Sequence, residues 1–188
     1  MSGTNLHKRR DANAKGFTLV ELLVVVCVIA ITSAVAAPSV ASWIKNYRAK
    51  TVARQLMTDL QYTRMSAVAS KLPCRVLMNT ATNQYEIDQS PDGVNWNLVG
   101  IARQLNVQTL ANNQTNPYYA QGVALGMGQL PNPVSNQWTV TFNTMGIPTF
   151  NATNVNTVTI AQGAQAAYSV QVSPTGAVTI SGGPNFAL

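Results

Sequence analysis

Glu21 carries the side chain with the most unusual chemical setting, because its carboxylate lies inside a long apolar run. The segment from Phe17 to Ala37 contains 21 residues, and Glu21 is the only charged residue among them. A charge within a membrane helix is costly and usually has a partner and a function. The position of Glu21 therefore predicts a cationic partner for its carboxylate.

Groups that commonly carry out catalysis are scarce elsewhere in the chain. The only histidine is His7, so the chain beyond the N-terminal region has no imidazole for a general base, a triad or a metal site. Glu86 and Asp88 alternate along a predicted strand, where such residues are usually solvated. Asp92 lies in a Pro-Asp-Gly sequence that fits a turn better than a calcium loop. We therefore expect no enzymatic activity, no cofactor and no metal site.

The two cysteines predict no disulfide within the chain. Cys27 lies in the apolar run and Cys74 lies at the start of the later, mixed sequence, so the two are not expected to come within the roughly 7 Å that a disulfide requires. Cys74 is interpreted as a small buried apolar residue. A bridge between two molecules stays open.

The element that must hold Glu21 is a long helix. The apolar run is long enough for a membrane helix, which needs about 20 residues, and beyond Pro38 the pattern becomes amphipathic as far as Pro73. The helix is expected to end near Leu72. The apolar positions predicted to cover a sheet are Val52, Ala53, Leu56, Met57, Leu60, Ala67 and Val68.

The rest of the chain alternates in the manner of antiparallel strands. The predicted strands are Arg75 to Met78, Tyr85 to Asp88, Asn97 to Ala102, Trp138 to Phe142, Thr157 to Ile160, Tyr168 to Val172 and Ala177 to Ile180. The last two form a terminal hairpin around Pro174-Thr175-Gly176. The region 106–137 is rich in Asn, Gly and Pro and is predicted to be a long loop, either partly ordered or a functional surface loop. The fold class is therefore α+β, with a long N-terminal helix packed on an antiparallel sheet.

The sequence around Gly16, Phe17 and Glu21 resembles the class III signal of type IV pilins and type II secretion pseudopilins. This resemblance implies that a prepilin peptidase cleaves after Gly16 and methylates the new amino terminus at Phe17. It further implies that Glu21 neutralises the amine of an adjacent subunit during assembly. Pro38 matches a proline that the family carries near the end of its first apolar stretch, where it should bend or loosen the helix.

Three segments and a location follow from the resemblance. Residues 1–16 are the prepilin leader, residues 17–42 are a transmembrane helix that later lies in the filament core, and residues 43–188 are a globular pilin-like domain in the periplasm or outside the cell. The protein is expected to cross the inner membrane once, in contact with its lipid, before it enters a filament.

Two other interpretations of the N-terminal region remain open. A secretory signal peptide would be cleaved near Ala34-Val35-Ala36, and a plain membrane anchor would not be cleaved at all. Charge does not decide the orientation, because four basic residues precede the apolar run and four follow it. The two sets are Lys8, Arg9, Arg10 and Lys15, and Lys45, Arg48, Lys50 and Arg54.

The order of the elements is similar to that of the GspH/FimT branch, which contains minor pilins and minor pseudopilins. The segments that carry this likeness are TRMSAVASKLPCRVLM, VTFNTMGIPTF and VSPTGAVTIS. The resemblance implies a structural subunit that joins other major and minor pilins or pseudopilins in an initiation or tip complex. The sequence does not separate a type IV pilus from a type II secretion machine.

The alternative function is DNA binding during natural transformation, since some FimT-type minor pilins take part in DNA uptake. The chain carries a formal net charge of +6, yet no charged residue follows Arg103, and binding to a duplex depends on Lys and Arg. Lys71, Arg75 and Arg103 are the candidate DNA contacts. We rank this alternative below the structural role.

Overall fold

A computed structural model describes residues 16–110, 114–127, 136–151, 156–163 and 165–182, without the side chains of residues 36–39 and 165–167. By its internal contacts the chain divides after Ala41 into two units. One helix, α1 (Leu19–Ser70), supplies residues to both. Pro38, predicted to bend the helix, lies among the residues whose side chains are not described.

The first unit contains the apolar part of α1. Its large side chains from Leu19 to Val35 are all at least half exposed to the surroundings of the isolated chain. Among the described residues no single helix meets the length and hydropathy required to span a membrane, whereas Leu19–Val35 and Val40–Ser70 meet them together as a bent pair. This part of the helix forms no hydrophobic core of its own. An exposed apolar surface of this extent is expected to be covered by lipid or by another protein.

The second unit contains the rest of α1 and two antiparallel sheets. The first sheet has the order β3-β2-β1-β6-β7, with β4 also paired to β2; its strands are β1 (Cys74–Asn79), β2 (Gln84–Gln89), β3 (Asn97–Leu98), β4 (Arg103–Gln104), β6 (Gln137–Phe142) and β7 (Pro148–Phe150). The second sheet has the order β10-β9-β8-β5; its strands are β5 (Val123–Met127), β8 (Thr157–Gln162), β9 (Gln165–Val172) and β10 (Val178–Gly182). The α+β prediction is confirmed.

The core of this unit lies between one face of α1 and the two sheets. The helix contributes Ala49, Val52, Ala53, Leu56, Leu60 and Ala67, and the sheets contribute residues that include Val76, Trp138, Phe142, Ile160 and Val170. The predicted helix face is therefore largely correct. Val68 is the exception, because it is 45% exposed at the end of this face.

The helix ends where the backbone can no longer continue it. Lys71 adopts a left-handed conformation with φ of 57°, a common way for a helix to end, and Pro73 follows. The predicted end near Leu72 is thus close to the observed one. Cys74 is the first residue of β1, one position before the predicted start of the strand, and it is buried as predicted, with 1% of its surface exposed.

The observed strands differ from the predicted ones in two places. The single strand predicted from Asn97 to Ala102 is replaced by the short strands β3 and β4, separated by Gly100 with φ of +84°. The predicted loop 106–137 contains β5, which pairs with β8 along its whole length and buries Val123 and Leu125.

Arg64 joins the helix to a turn of each sheet. Its Nε donates to the carbonyl oxygen of Gly146 at 3.1 Å, and its Nη2 donates to the carbonyl oxygen of Thr175 at 3.2 Å. Gly146 lies in the β6–β7 turn and Gly176 in the β9–β10 turn, both with positive φ. A Cβ atom on Gly176 would lie 2.7 Å from the Gly146 carbonyl oxygen and 2.8 Å from the Arg64 Nε. One guanidinium and two glycines thus hold the two turns against the helix.

Candidate functional site

The start of α1 is set by Thr18. The backbone N–H of Glu21 donates to the Thr18 hydroxyl oxygen at 3.2 Å, and the N–H of Leu22 donates to the Thr18 carbonyl oxygen at 3.2 Å. Thr18 is therefore the N-cap, and Glu21 occupies the position of the acidic residue in a capping box. A negative charge in the first turn is also favoured by the helix dipole. The capping role of Glu21 was not predicted from the sequence, although the pattern Thr-x-x-Glu indicates it.

Gly16 and Phe17 lie immediately before this cap and outside the helix. Both are exposed, Phe17 to 81%. The peptide bond between them is therefore not protected by helical hydrogen bonds. If the chain began at Phe17, its α-amino group would lie one residue before the N-cap, four positions from Glu21.

The three candidate DNA contacts lie in three different environments. Lys71 is exposed immediately after the helix. The Nε of Arg75 lies 2.8 Å from the Oδ2 of Asp88, and its Cζ lies 4.2 Å from the ring centroid of Trp96.

Asp88 is only 4% exposed, so the prediction that it is solvated is wrong. Burial and the charge of Asp88 together raise the pKa of the neighbouring Glu86 carboxyl, while Arg75 opposes this shift.

Arg103 is buried and belongs to an internal ion pair. Its Nε lies 2.8 Å from the Oδ2 of Asp59, a residue of α1, and the phenolic hydroxyl of Tyr85 donates to the same oxygen at 2.8 Å. The guanidinium carbon also lies 5.2 Å from the ring centroid of Tyr118. Burial, with the charge of Asp59, raises the pKa of Tyr85 far above its ordinary value. The structure does not support Arg103 as a DNA contact, because its charge is already paired and shielded from solvent.

A cavity of about 350 Å³ lies next to this ion pair, between α1 and the segment that leads into β5. Its lining is largely apolar and aromatic and comprises Tyr47, Arg48, Thr51, Val52, Gln55, Tyr85, Leu105, Pro117, Tyr118, Tyr119 and Ala120. The cavity could not be predicted from the sequence, because four of its eleven lining residues lie in the region 106–137, which was assigned to a loop. The buried Asn116 holds that segment in place by donating to the carbonyl oxygens of Gln104 and Val107.

The turn after β2 contains Asp92 and is held together by hydrogen bonds from backbone N–H groups of the turn to this side chain. The Oδ1 of Asp92 accepts the N–H of Asn95 at 2.7 Å and that of Val94 at 2.9 Å, and these bonds hold the pKa of Asp92 well below its ordinary value. The turn predicted from Pro-Asp-Gly is confirmed. Within the described ranges no group of three His, Cys, Asp or Glu side chains is placed to hold a metal ion.

Comparisons with known proteins give consistent results. The family model described as type II transport protein GspH matches residues 52–176, and the prokaryotic N-terminal methylation motif matches residues 11–37. The type II secretion system protein H of Xanthomonas campestris pv. campestris is 26% identical over 131 residues, which are 64% of this chain and 76% of that protein.

Two solved structures share the fold. The minor pseudopilin EpsH of Vibrio cholerae aligns with a TM-score of 0.50 and 15% identity, over 76% of this chain and 99% of the other. The solution structure of Escherichia coli GspH aligns with a TM-score of 0.51 and 15% identity, over 76% of this chain and 93% of the other.

Proposed function

The chain belongs to the GspH family of type II transport proteins and is a minor pilin or pseudopilin, and we propose that it joins a type II secretion pseudopilus after cleavage behind Gly16. In this proposal a prepilin peptidase removes residues 1–16 and methylates Phe17. Residues 17–42 cross the inner membrane once, and residues 43–188 lie in the periplasm. The role is structural and not enzymatic.

The capped start of α1 is the observation that carries the proposal. Because Thr18 is the N-cap at which the helix begins, the Gly16-Phe17 bond lies in exposed, non-helical backbone. Cleavage there leaves both the cap and Glu21 intact. The mature chain therefore presents a positive amine and a negative carboxylate separated by one helical turn.

The apolar surface of the first unit supports assembly. The side chains exposed between Leu19 and Val35 would be covered by lipid before assembly and by neighbouring helices afterwards. In either environment an unpaired charge is costly. We propose that Glu21 pairs with the amine of an adjacent subunit, which favours the subunit that enters in the correct register.

The first experiment is the mass and amino-terminal sequence of the protein made together with a prepilin peptidase. A chain that begins with N-methylated Phe17 supports the proposal. A chain that begins near Ala37 would identify an ordinary signal peptide, and an uncleaved chain would identify a plain anchor. Either of the last two results refutes the assembly role.

The second experiment separates the charge of Glu21 from its contribution to the cap. Glu21→Gln keeps a side chain that serves in a capping box but removes the negative charge. We expect this variant to be inserted and cleaved normally and to enter filaments poorly. Thr18→Ser, which keeps the capping hydroxyl, is the matched control and should enter them as the wild type does. Normal incorporation of Glu21→Gln would exclude the charge pairing.

A further inference from the structure

A group of exposed aromatic and basic side chains follows directly after the apolar run. The indole ring of Trp43 and the ring of Tyr47 stack with their centroids 5.8 Å apart, yet they remain 66% and 61% exposed. Lys45 and Lys50 are also exposed. We refer to Trp43, Lys45, Tyr47 and Lys50 as the aromatic–basic band. Tyr47 also borders the cavity described above, but most of its surface, like that of Trp43, is not covered by the domain.

The band is positively charged and has no acidic neighbour in sequence. The chain contains no Asp or Glu between Glu21 and Asp59, and no ion pair with Lys45 or Lys50 is found in the described part of the chain. Trp43, Tyr47 and Lys50 are spaced four and three residues apart, so they share one face of α1, whereas Lys45, two positions after Trp43, projects from the opposite side of the helix. This face points away from the core, because the buried helix residues Ala49 and Val52 lie on the other side.

We propose that the aromatic–basic band binds the phosphate headgroups of the membrane surface. This inference rests on the proposed function, in which the apolar run lies in the membrane. Trp and Tyr favour the boundary between hydrocarbon and water. Lysine side chains beside that boundary extend their ammonium groups to anionic headgroups. The charge of the band and its direct continuity with the apolar run favour lipid over an acidic protein partner.

The band also sets the depth of the helix in the membrane. The uncharged segment between Glu21 and Trp43, Leu22 to Ser42, has 21 residues. At 1.5 Å per residue this is about 30 Å, the thickness of the hydrocarbon layer.

The test compares the rates at which lysines are acetylated by a membrane-impermeant reagent in the full chain. The protein is reconstituted into vesicles of zwitterionic lipid or of the same lipid with an anionic phospholipid, and the modified peptides are quantified by mass spectrometry. Lys71 is the internal control, because it is exposed at the other end of α1, about 30 Å from Lys50. We expect Lys45 and Lys50 to react about fivefold more slowly in anionic vesicles, with the difference reduced by high salt. Lys71 should react equally in both.

Three outcomes would overturn the inference. Equal rates for Lys45 and Lys50 in both vesicles exclude headgroup binding. Slow acetylation that persists in a non-ionic detergent, where no phosphate headgroup is present, assigns the band to a protein contact. Failure of the full chain to float with either vesicle removes the membrane role itself, and with it the proposed function, whereas flotation with equal rates removes only the inference.

A second measurement reports the depth of the band directly. Quenching of tryptophan fluorescence by lipids brominated near the headgroup should exceed that by lipids brominated deep in the chain. The Trp43→Phe variant supplies the background of Trp96 and Trp138. Loss of the shallow quenching in Trp43→Phe supports the inference, and unchanged quenching refutes it.

Discussion

Removal of Arg103 should destabilise the globular unit strongly, because it leaves a buried carboxylate without its cation. The side chains of Arg103 and Asp59 are 11% and 8% exposed. Truncation of one partner of a buried ion pair costs about 3–5 kcal/mol. For a unit of this size that loss lowers Tm by about 6–20 °C. Arg103→Met retains much of the apolar volume, so the expected loss comes mainly from the charge.

The assay is thermal and urea unfolding of the full chain in detergent, followed by circular dichroism. Arg54→Met is the matched control, because Arg54 is an exposed arginine of α1, the helix that carries Asp59, and its substitution should change the free energy of unfolding by less than about 0.5 kcal/mol. The double variant Asp59→Leu/Arg103→Met removes both charges and should recover most of the loss. The residual cost, about 1–3 kcal/mol, comes from the Tyr85 hydroxyl, which loses its acceptor.

Either of two results would show that the buried carboxylate is not the source of the loss of stability. If Arg103→Met costs less than about 1 kcal/mol, the pair is effectively solvated and behaves as a surface ion pair. If the double variant is no more stable than Arg103→Met, the loss comes from packing and not from the uncompensated carboxylate.

Three further predictions concern other parts of the globular unit. Gly176→Ala should cost about 2 kcal/mol more than Gly163→Ala in urea unfolding, since both have positive φ but only the former places a Cβ against other atoms; equal losses would contradict the close approach. The pKa of the Glu86 carboxyl is raised above its ordinary 4.5 in the folded chain, so the folded state favours the protonated form. The contribution of this group to the free energy of unfolding is therefore complete below pH 4.5 and is lost as the pH rises through the pKa of the folded state. Glu86→Gln should therefore be more stable than the wild type at neutral pH and equal to it below about pH 4, and parallel pH profiles would contradict this assignment. Burial raises the pKa of the Cys74 thiol, so alkylation of this residue should be at least about tenfold slower in the native chain than in urea, and equal rates would show that the thiol is exposed.

Predictions from the sequence were most accurate for features that depend only on residues close together in the chain. The terminal hairpin was predicted from alternating apolar residues on either side of Pro174-Thr175-Gly176, and its register pairs Val172 with Val178. The start of the helix was marked only by the apolar run, and the capping role of Thr18 became visible only in the structure. Glu21 was selected as a candidate site residue because of its charge within the apolar run, and Phe17 was selected from the resemblance to the class III signal.

The sequence was least informative where a residue depends on a distant partner. Arg103 and Asp59 are 44 positions apart, and nothing in either local pattern distinguishes a buried ion pair from two solvated charges. The strand β5 was missed because its sequence, VALGM, is short and lies among Asn, Gly and Pro residues. β5 forms because it pairs with β8, whose residues lie more than 30 positions later in the chain.

The contact between Arg64 and the two turns has a mechanical consequence. Its two hydrogen bonds run from one guanidinium to the carbonyl oxygens of Gly146 and Thr175, one in each hairpin. Tension applied along this part of α1 would therefore load the two sheets in parallel, and each bond would carry only a share of the force. We expect the second unit to resist pulling as one body and to yield by release of both hairpins together, and Arg64→Met should let them yield one after the other at lower force.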